Sequence, residues 1–482
     1  MAESKLNPRE RARLEEQEKK KKARKKYIWI GLAALLVLAV ILFVNSSLFY
    51  NGVPALKVDG TNYTVADVNY EYQKGYMQFT QSYGDYVSMF IDPSKPLSEQ
   101  ASMFDADGGT WDEYFKNLAE ENLIEKTIFY KNALEAGYKL TDEEAEEIDS
   151  TISNYNLYAG LYGYTLDGYL AANYGAGNSE KTIREHMAKE LIIERYLQDV
   201  YNGYEYSDQE LDEYYAENAD VYDRVKVLYY NMSDTDDVDS ADAVQSIVDL
   251  MAEPTEEEFR SAVLGFTGNE ATETSYTRSS FMSLFGGSIT EDQIAEGFVF
   301  THDADTSAYA VYIRGVEDNN YNTVSVRHIL IKANDEDGDG VYSDEEKDAA
   351  LNRIIEIQQE WQDGVATEES FGGLAILYSD DAGSAAEGGL YEGIYKGQMV
   401  SEFDAFCFDK HSHGDTGIVY GESSSYAGYH LIYFVSADGQ LYSRMLAENG
   451  MRSDAYNEYL AAATEGVEAR HTFMWRYVMK DK

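Results

Sequence analysis

Two histidines lie inside apolar runs of the kind that form buried strands. His328 lies within residues 326–331, and His430 lies within residues 428–433. Apart from Arg327, the neighbours of each histidine in these runs are apolar residues or glycine, which is typical of a strand in the interior of a sheet. Taken alone, either histidine is most simply a residue of the protein core. A shared site therefore has to be judged from the residues around the pair.

Two common kinds of chemistry are not indicated. No third histidine, cysteine or carboxylate stands at metal-ligand spacing from His328 or His430 in the sequence. The chain also has no Gly-x-Ser-x-Gly pattern and no His-Glu-x-x-His pattern, which hydrolases and zinc proteases use. A metal centre at the two histidines and a proteolytic function are therefore both disfavoured.

Glycines and a short apolar segment lie between the histidines in a specific order. Residues 388–389 are Gly-Gly, and residues 397–403 read Gly-Gln-Met-Val-Ser-Glu-Phe. With His328 before them and His430 after them, this ordered set resembles the parvulin family of peptidyl-prolyl isomerases. The resemblance covers residues 321–436 and implies the α+β fold of that family.

Rotation about an X–Pro bond needs neither a nucleophile nor a metal. Its barrier of roughly 18–20 kcal/mol comes from amide resonance. A catalyst needs a dry apolar slot for the proline ring and polar groups that favour the twisted amide. Parvulins are thought to use two facing histidines and a nearby Cys or Asp. The resemblance implies His328 and His430 for the pair, Asp381 at the Cys/Asp position, and Ser425 where the family places a Thr or Ser bonded to the pair.

The resemblance also implies a pocket for the proline ring and no cofactor for catalysis. Met399 and Phe403 take the pocket positions, with Tyr391 at a position that is usually Leu. The sequence departs here from the common Gly-Gly-Asp-Leu-Gly pattern, since residues 388–392 read Gly-Gly-Leu-Tyr-Glu. A tyrosine could narrow or polarise the slot, so the family pattern alone does not set the substrate preference here.

Residues 335–346 fit a second pattern, the twelve-residue calcium loop, with Gly340 at the turn position. The candidate ligands are four carboxylates, one backbone carbonyl and one hydroxyl: Asp335, Asp337, Asp339, Glu346, Val341 and Ser343. A strand and not a helix precedes the loop, and an acidic surface turn is the alternative. We expect a structural calcium ion that holds the connection from strand to helix near His328.

The N-terminal residues indicate export. Residues 1–26 contain eleven Lys/Arg and five Glu, a net charge of +6 (eleven minus five), and residues 27–50 contain no charge. The run Ile28–Val44 is almost entirely aliphatic or aromatic. This order predicts a transmembrane signal anchor over residues 27–48, with the N-terminus in the cytoplasm and the bulk of the chain extracytoplasmic. A cleaved signal peptide is the alternative.

The rest of the chain is strongly acidic. The whole chain has 482 residues and a net charge of −48, so the part after residue 26 carries −54 (−48 minus +6). Such a charge argues against nucleic acid or anionic lipid as a partner and favours basic, unfolded polypeptides. The single cysteine, Cys407, has an apolar context and no partner in the chain for a disulfide.

The fold class expected is multidomain α+β with one N-terminal transmembrane helix. The first part is mostly helical, and the pattern Thr141-Asp142-Glu143-Glu144 is a capping box that starts one of its helices. A hairpin that leads into long helices, together with the segment Ala133 to Glu144, resembles the N-terminal chaperone region of the SurA and PrsA foldases. The expected organisation is a basic cytoplasmic tail (1–26), the signal anchor (27–48), a helical chaperone domain (51–220), a degenerate parvulin-like domain (221–320), the parvulin domain (321–436) and a C-terminal helical segment (437–482).

The degenerate domain is inferred from an internal repeat. Residues 225–230 match residues 326–331, and residues 308–312 match residues 428–432. In this alignment Val227 and Ala310 replace the two histidines. The alternative is an unrelated α+β domain.

These expectations together describe an extracytoplasmic, membrane-anchored foldase. It would isomerise X–Pro bonds in exported, partly folded polypeptides and hold them through its helical and degenerate domains. A non-catalytic holdase or assembly scaffold with the parvulin fold is the main alternative. An acidic, tyrosine-rich adhesin is a third, but it leaves the two-histidine set unexplained.

Overall fold

The computed structural model describes residues 8–44, 47–104, 108–235, 238–335, 338, 340–423 and 426–479. Its helices are α1 (Pro8–Val44), α2 (Ser47–Gly52), α3 (Val65–Tyr83), α4 (Trp111–Glu135), α5 (Asp142–Leu161), α6 (Leu166–Tyr174), α7 (Glu180–Asn202), α8 (Asp208–Glu217), α9 (Ala219–Tyr222), α10 (Ser240–Asp249), α11 (Glu256–Thr267), α12 (Arg278–Phe285), α13 (Asp344–Asp363), α14 (Glu368–Tyr378), α15 (Ser401–Phe408) and α16 (Tyr442–Thr464). Its strands are β1 (Pro54–Val58), β2 (Thr61–Thr64), β3 (Arg224–Ser233), β4 (Thr272–Thr277), β5 (Val299–Asp303), β6 (Ser307–Glu317), β7 (Val324–Lys332), β8 (Leu390–Ile394), β9 (Thr416–Ser423), β10 (Tyr426–Ser436) and β11 (Ala469–His471).

The chain folds as two compact units. One unit consists of Met1–Tyr204 together with Ala455–Lys482, and the other of Glu205–Asp454. The first unit is mostly helical and contains a small sheet in the order β11-β1-β2. Its main core packs α3 and α4 against this sheet, with Trp111 and Phe115 fully buried. The C-terminal residues return to this core, because β11 pairs antiparallel with β1.

Local capping explains where several of these helices begin. Thr64 precedes α3 and Thr141 precedes α5, and each accepts a hydrogen bond from the backbone N–H three residues later. The side chain at that third position, Asp67 or Glu144, accepts in return from the backbone N–H of the cap. These reciprocal bonds satisfy donors that the first helical turn leaves unpaired. The capping box at Thr141 is the one that the sequence predicts.

The prediction of a transmembrane helix over residues 27–48 is wrong. Among the residues that the structure describes, no helix has both the length and the apolar character needed to cross a membrane. Helix α1 is a single helix whose first part is the basic segment, and its apolar run covers only Ile28–Val44. The α+β part of the expected fold class stands without the transmembrane helix.

The second unit contains two sheets with the same topology. One has the strand order β4-β3-β6-β5, and the other has the order β8-β7-β10-β9. In each sheet the first and last strands in sequence pair antiparallel at the centre, and each is flanked by one edge strand. The chain order is also shared, namely strand, two helices, strand, helix and two strands. The region 221–320 therefore repeats the architecture of the region 321–436.

The structure corrects the residue pairing that the sequence repeat indicates. Val227 packs with Phe281 and Phe285 of α12 on one face of the first sheet. Ala310 belongs to the core on the other face, together with Leu228. Successive residues of a strand point to opposite faces, so a one-residue slip exchanges the two faces. Val227 and Ala310 therefore do not correspond to two histidines that share one face.

Candidate active site

The antiparallel pairing of β7 with β10 brings the two predicted histidines together. His328 stands opposite Ile432, and His430 stands opposite Leu330, which puts both side chains on one face of the sheet two positions apart. His328 is 3 % exposed and His430 is 4 % exposed. Their ring centroids lie 5.3 Å apart with an angle of 19° between the planes. The two Nδ1 atoms are 3.1 Å apart, so one ring donates a hydrogen bond to the other.

Asp381 lies on the outer side of His328, in the segment that follows α14. Its Oδ2 atom is 2.9 Å from the Nε2 atom of His328. The same oxygen accepts hydrogen bonds from the Ser384 hydroxyl at 2.5 Å and from the Tyr391 hydroxyl at 3.1 Å. The hydrogen bond with His328, followed by the bond from Ser384, holds the pKa of Asp381 well below its usual range, although burial opposes the shift. Asp381 is therefore an ionised carboxylate that accepts from three side-chain donors.

Ser384 is a member of this site that the sequence analysis missed. Its side chain is almost fully buried, and its Oγ atom lies 3.1 Å from the Nε2 atom of His328. The backbone forms a tight turn between the two residues, with the N–H groups of Ser384 and Ala385 donating to the carbonyl of Asp381. The spacing Asp-x-x-Ser was the available signal, because a turn of this kind places two side chains three residues apart next to each other.

Tyr426 occupies the far side of the pair, where the sequence analysis expected Ser425. The hydroxyl of Tyr426 lies 3.0 Å from the Nε2 atom of His430. Ser425 is outside the described residues, and its predicted role stays a prediction. Burial, and then the neighbouring His328, lower the pKa of His430 to about 3. His430 is therefore a neutral imidazole at physiological pH.

The three predicted pocket residues surround the same histidines. Phe403 of α15 is 2 % exposed, and its ring meets His328 and His430 edge to face at centroid distances of 5.4 and 5.2 Å. Tyr391 of β8 lies 5.3 Å from the His328 ring. Met399 and Tyr391 are partly buried against the hydrophobic cluster that contains Phe403. The structure thus places an apolar wall beside the polar row of His430, His328 and Asp381.

The segment proposed as a calcium loop is only partly described. Asp337 and Asp339 lie outside the described residues. Asp335 accepts hydrogen bonds from the backbone N–H groups of Gly338 and Gly340, at 2.7 and 3.0 Å. Glu346 accepts from the N–H and hydroxyl of Ser343 and so forms a capping box at the start of α13. No group of three or more His, Cys, Asp or Glu side chains that could hold a metal is found in the part of the chain that the structure describes.

This arrangement has the two properties that rotation about an X–Pro bond requires. The partly buried side chains of Tyr391 and Met399, next to the buried ring of Phe403, are apolar groups of the kind that a pyrrolidine ring contacts, and the histidine pair offers fixed hydrogen-bonding groups beside them. No group in the row has the geometry of a base-activated nucleophile, because the Ser384 hydroxyl donates to Asp381 and lies against a nitrogen that itself donates. The geometry therefore matches a catalyst of conformational change.

Comparison with known proteins assigns the class of this domain. Residues 328–436 match the family described as Rotamase: PPIC-type PPIASE domain. The chain therefore contains a peptidyl-prolyl isomerase domain of the parvulin type, as the two histidines and the residues between them predicted. PPIases of this class need no cofactor for catalysis.

The comparisons extend beyond this domain to foldases and chaperones. The chain is 24 % identical over 334 residues to the Chaperone SurA of Pseudomonas putida. This alignment covers 65 % of this chain and 72 % of that protein. Among solved structures it resembles PrsA from Bacillus subtilis, with 16 % identity, 79 % of this chain and 92 % of that chain covered, and a TM-score of 0.29. A structure of SurA-like chaperones from Campylobacter jejuni covers 87 % of this chain and 99 % of that chain, with 11 % identity and a TM-score of 0.24.

Proposed function

We propose that this chain accelerates cis–trans isomerisation of X–Pro bonds in unfolded, exported polypeptides. One observation carries the proposal, namely the buried contact between His328 and His430 beside the ring of Phe403. The proline ring lies against Phe403, Met399 and Tyr391. The histidine pair then meets the amide as it rotates out of conjugation. Each lowering of the rotational barrier by about 1.4 kcal/mol raises the rate tenfold.

The test measures isomerisation rates of short X–Pro peptides by the full chain. We expect His328→Ala and His430→Ala each to remove most of the acceleration, because each leaves the other ring without its buried hydrogen-bond partner. His413→Ala is a matched control, since His413 belongs to the same domain but bonds the carbonyl of Val435 and the hydroxyl of Tyr433. Absence of acceleration by the folded wild-type chain, with several residues tried before proline, would contradict the proposal.

A holding activity without catalysis is the second candidate. The first sheet of the second unit supports it, because that sheet repeats the parvulin strand order without histidines at its centre. A domain that keeps the fold and lacks the site is suited to binding alone. The chain would then suppress aggregation of an unfolding client protein equally well with and without His328→Ala. A parallel loss of isomerase activity and of holding in that variant would argue against this separation.

We propose that the clients are exported proteins and that the chain acts outside the cytoplasm. The order of a basic segment, residues 1–26, followed by the uncharged residues 27–50 supports export. The acidic remainder favours basic unfolded chains over nucleic acid. Protease added to cells whose outer layers have been removed and whose cytoplasmic membrane is intact should degrade the chain. Protection until the cells are lysed would contradict this location.

A structural calcium ion at residues 335–346 is a further proposal. The side chain of Asp335 supports this proposal, because it accepts hydrogen bonds from two backbone N–H groups of the loop. We expect calcium, and not magnesium at the same concentration, to raise the unfolding temperature, and Asp335→Asn to reduce that difference. Equal responses to the two cations would contradict a calcium loop.

A further inference from the structure

The side chains at the active site form one continuous row of hydrogen-bonding groups. The Tyr426 hydroxyl lies 3.0 Å from Nε2 of His430, and Nδ1 of His430 lies 3.1 Å from Nδ1 of His328. Nε2 of His328 lies 2.9 Å from Oδ2 of Asp381. Each ring nitrogen of the pair therefore faces a side-chain partner. The positions of the protons in this row follow from which partners are able to donate.

The direction of the hydrogen bonds is set from the Asp381 end. A carboxylate has no proton to give, so the Nε2 atom of His328 donates to it. In the neutral ring the Nδ1 atom of His328 is then bare and accepts, so the Nδ1 atom of His430 donates. The Nε2 atom of the neutral His430 ring then carries no proton, and the residue is buried. The Tyr426 hydroxyl supplies the proton donor that this nitrogen requires.

The neighbouring strand leaves space for this contact. Gly421 of β9 lies next to His430, and a Cβ atom added there would stand 2.7 Å from the Nε2 atom of that ring. The same Cβ atom would stand 3.1 Å from a methyl group of Val400. A side chain at position 421 would therefore occupy the space beside the nitrogen that the phenol contacts. Glycine at this position and tyrosine at 426 are complementary.

We propose that Tyr426 is a positioning residue of the isomerase site. Its hydroxyl keeps the proton of His430 on Nδ1, so that His430 donates to His328 and His328 donates to Asp381. The role rests on the proposed isomerisation and adds to it the residue that orders the pair. Tyr426 takes the place beside His430 that the family resemblance assigns to a Thr or Ser one residue earlier. A phenol reaches the ring from that next position because its oxygen lies farther from the backbone.

The central experiment replaces Tyr426 with Phe, which keeps the ring and removes the hydroxyl. The first measurement is the ring nitrogen NMR spectrum of the full chain labelled in histidine, in which only 7 histidines contribute. We expect the resonance of Nε2 of His430 to shift, because that nitrogen loses its hydrogen-bond donor. We expect kcat/KM on an X–Pro peptide to fall about fivefold, the equivalent of one neutral hydrogen bond. The acid limb of the kcat/KM profile moves to higher pH, because a neutral nitrogen without its donor is protonated more easily.

Tyr429→Phe is the matched control for the loss of a tyrosine hydroxyl from β10. Tyr429 lies on the same strand, but it packs into the core on the opposite face of the sheet. This variant should leave both the His430 spectrum and kcat/KM unchanged. An unchanged His430 spectrum in Tyr426→Phe would overturn the proposal, and so would a changed spectrum with unchanged kcat/KM. If the wild-type chain failed to accelerate isomerisation, the proposed function would fall, whereas the spectrum would still decide whether Tyr426 controls the proton of His430.

Discussion

Replacing Asp381 with Asn should lower kcat/KM on an X–Pro peptide between about tenfold and a hundredfold. Asp381 accepts from His328, Ser384 and Tyr391 through a single carboxylate oxygen. The amide of Asn has the same shape but no charge, and when its oxygen stands at the Oδ2 position its N–H group faces the backbone N–H of Gly383, which donates to Oδ1 of Asp381. Hydrogen bonds to a charged group are worth about 1.5–3 kcal/mol, and each 1.4 kcal/mol corresponds to a factor of ten in rate. Steady-state kinetics of the two chains at neutral pH measure the effect.

The neighbouring residue provides the control for this substitution. Asp380 has the same charge, and its Oδ2 atom accepts a hydrogen bond from the backbone N–H of Lys332 at 2.9 Å. The oxygen of Asn can accept that bond equally well, so Asp380→Asn should stay within about twofold of the wild-type rate. Equal losses of kcat/KM in the two variants would show that the negative charge of this segment matters, and not the contact of Asp381 with His328.

We also expect the stabilities of the wild-type chain and of Asp381→Asn to depend differently on pH. The pKa of Asp381 is lowered in the folded state, chiefly by the hydrogen bond with His328. A lowered pKa stabilises the fold fully above the unfolded value of about 3.9, and that contribution is lost as the pH falls through the folded value. The difference in unfolding temperature between wild type and Asp381→Asn should therefore be full at pH 7 and shrink below about pH 4. A difference that persists unchanged to pH 2 would contradict this origin.

The sequence was sufficient to select residues that the fold brings into one place. His328, His430, Asp381 and Phe403 are distributed over two strands, a loop and a helix, and they meet within hydrogen-bonding or ring-contact distance. Short sequence patterns were enough to find these residues because imidazole, carboxylate and aromatic side chains differ clearly from the apolar residues around them. Their roles in catalysis stay predictions until the substitutions above are made. Capping boxes such as that at Thr141 were predictable for a similar reason, since their bonds connect residues three apart.

Other features depend on geometry that a sequence pattern does not contain. Ser384 and Tyr426 enter the site because a tight turn and the reach of a phenol put their oxygens next to the histidines. The error at Val227 and Ala310 arose because β3 and β6 carry apolar residues on both faces, which hides the two-residue period that sets the register. The pairing of β11 with β1 joins residues 54–58 to residues 469–471, and β11 has only three residues, which is too short to give a periodic signal.

The largest effect on the fold of the isomerase domain is expected from Gly389→Ala. Gly389 has φ of +71°, and a Cβ atom there would stand 2.1 Å from the carbonyl oxygen of His328 and 3.1 Å from the Cβ of Ala375. No rotamer relieves such a contact, because the position of Cβ is set by the backbone. The backbone itself would have to move, and it would break the hydrogen bond from the His328 N–H to the Gly389 carbonyl at 2.8 Å. We expect a loss of about 4 kcal/mol or more in the free energy of unfolding.

Gly397→Ala separates the clash from the backbone strain. Gly397 has a similar φ of +82°, but no atom lies within 4 Å of the position that its Cβ would take. Only the cost of the left-handed conformation remains, about 1–2 kcal/mol. Hydrogen exchange of the β7 and β10 peptides in the full chain reports the stability of this domain without interference from the other unit. We expect these peptides to exchange clearly faster in Gly389→Ala than in Gly397→Ala. Similar exchange rates in the two variants would mean that the left-handed backbone conformation alone accounts for the cost of replacing Gly389.

The same comparison links the glycine to the active site. The backbone that Gly389 approaches is that of His328, whose side chain bonds both His430 and Asp381. Relief of the clash requires this segment to move, and even a small part of that movement would alter the contact between His328 and His430 before the domain unfolds. Gly389→Ala should accordingly lose isomerase activity at denaturant concentrations where its β7 and β10 peptides are still protected from hydrogen exchange, whereas Gly397→Ala should lose activity and protection together. Coincident loss of the two signals in Gly389→Ala would show that this glycine supports the fold without positioning His328.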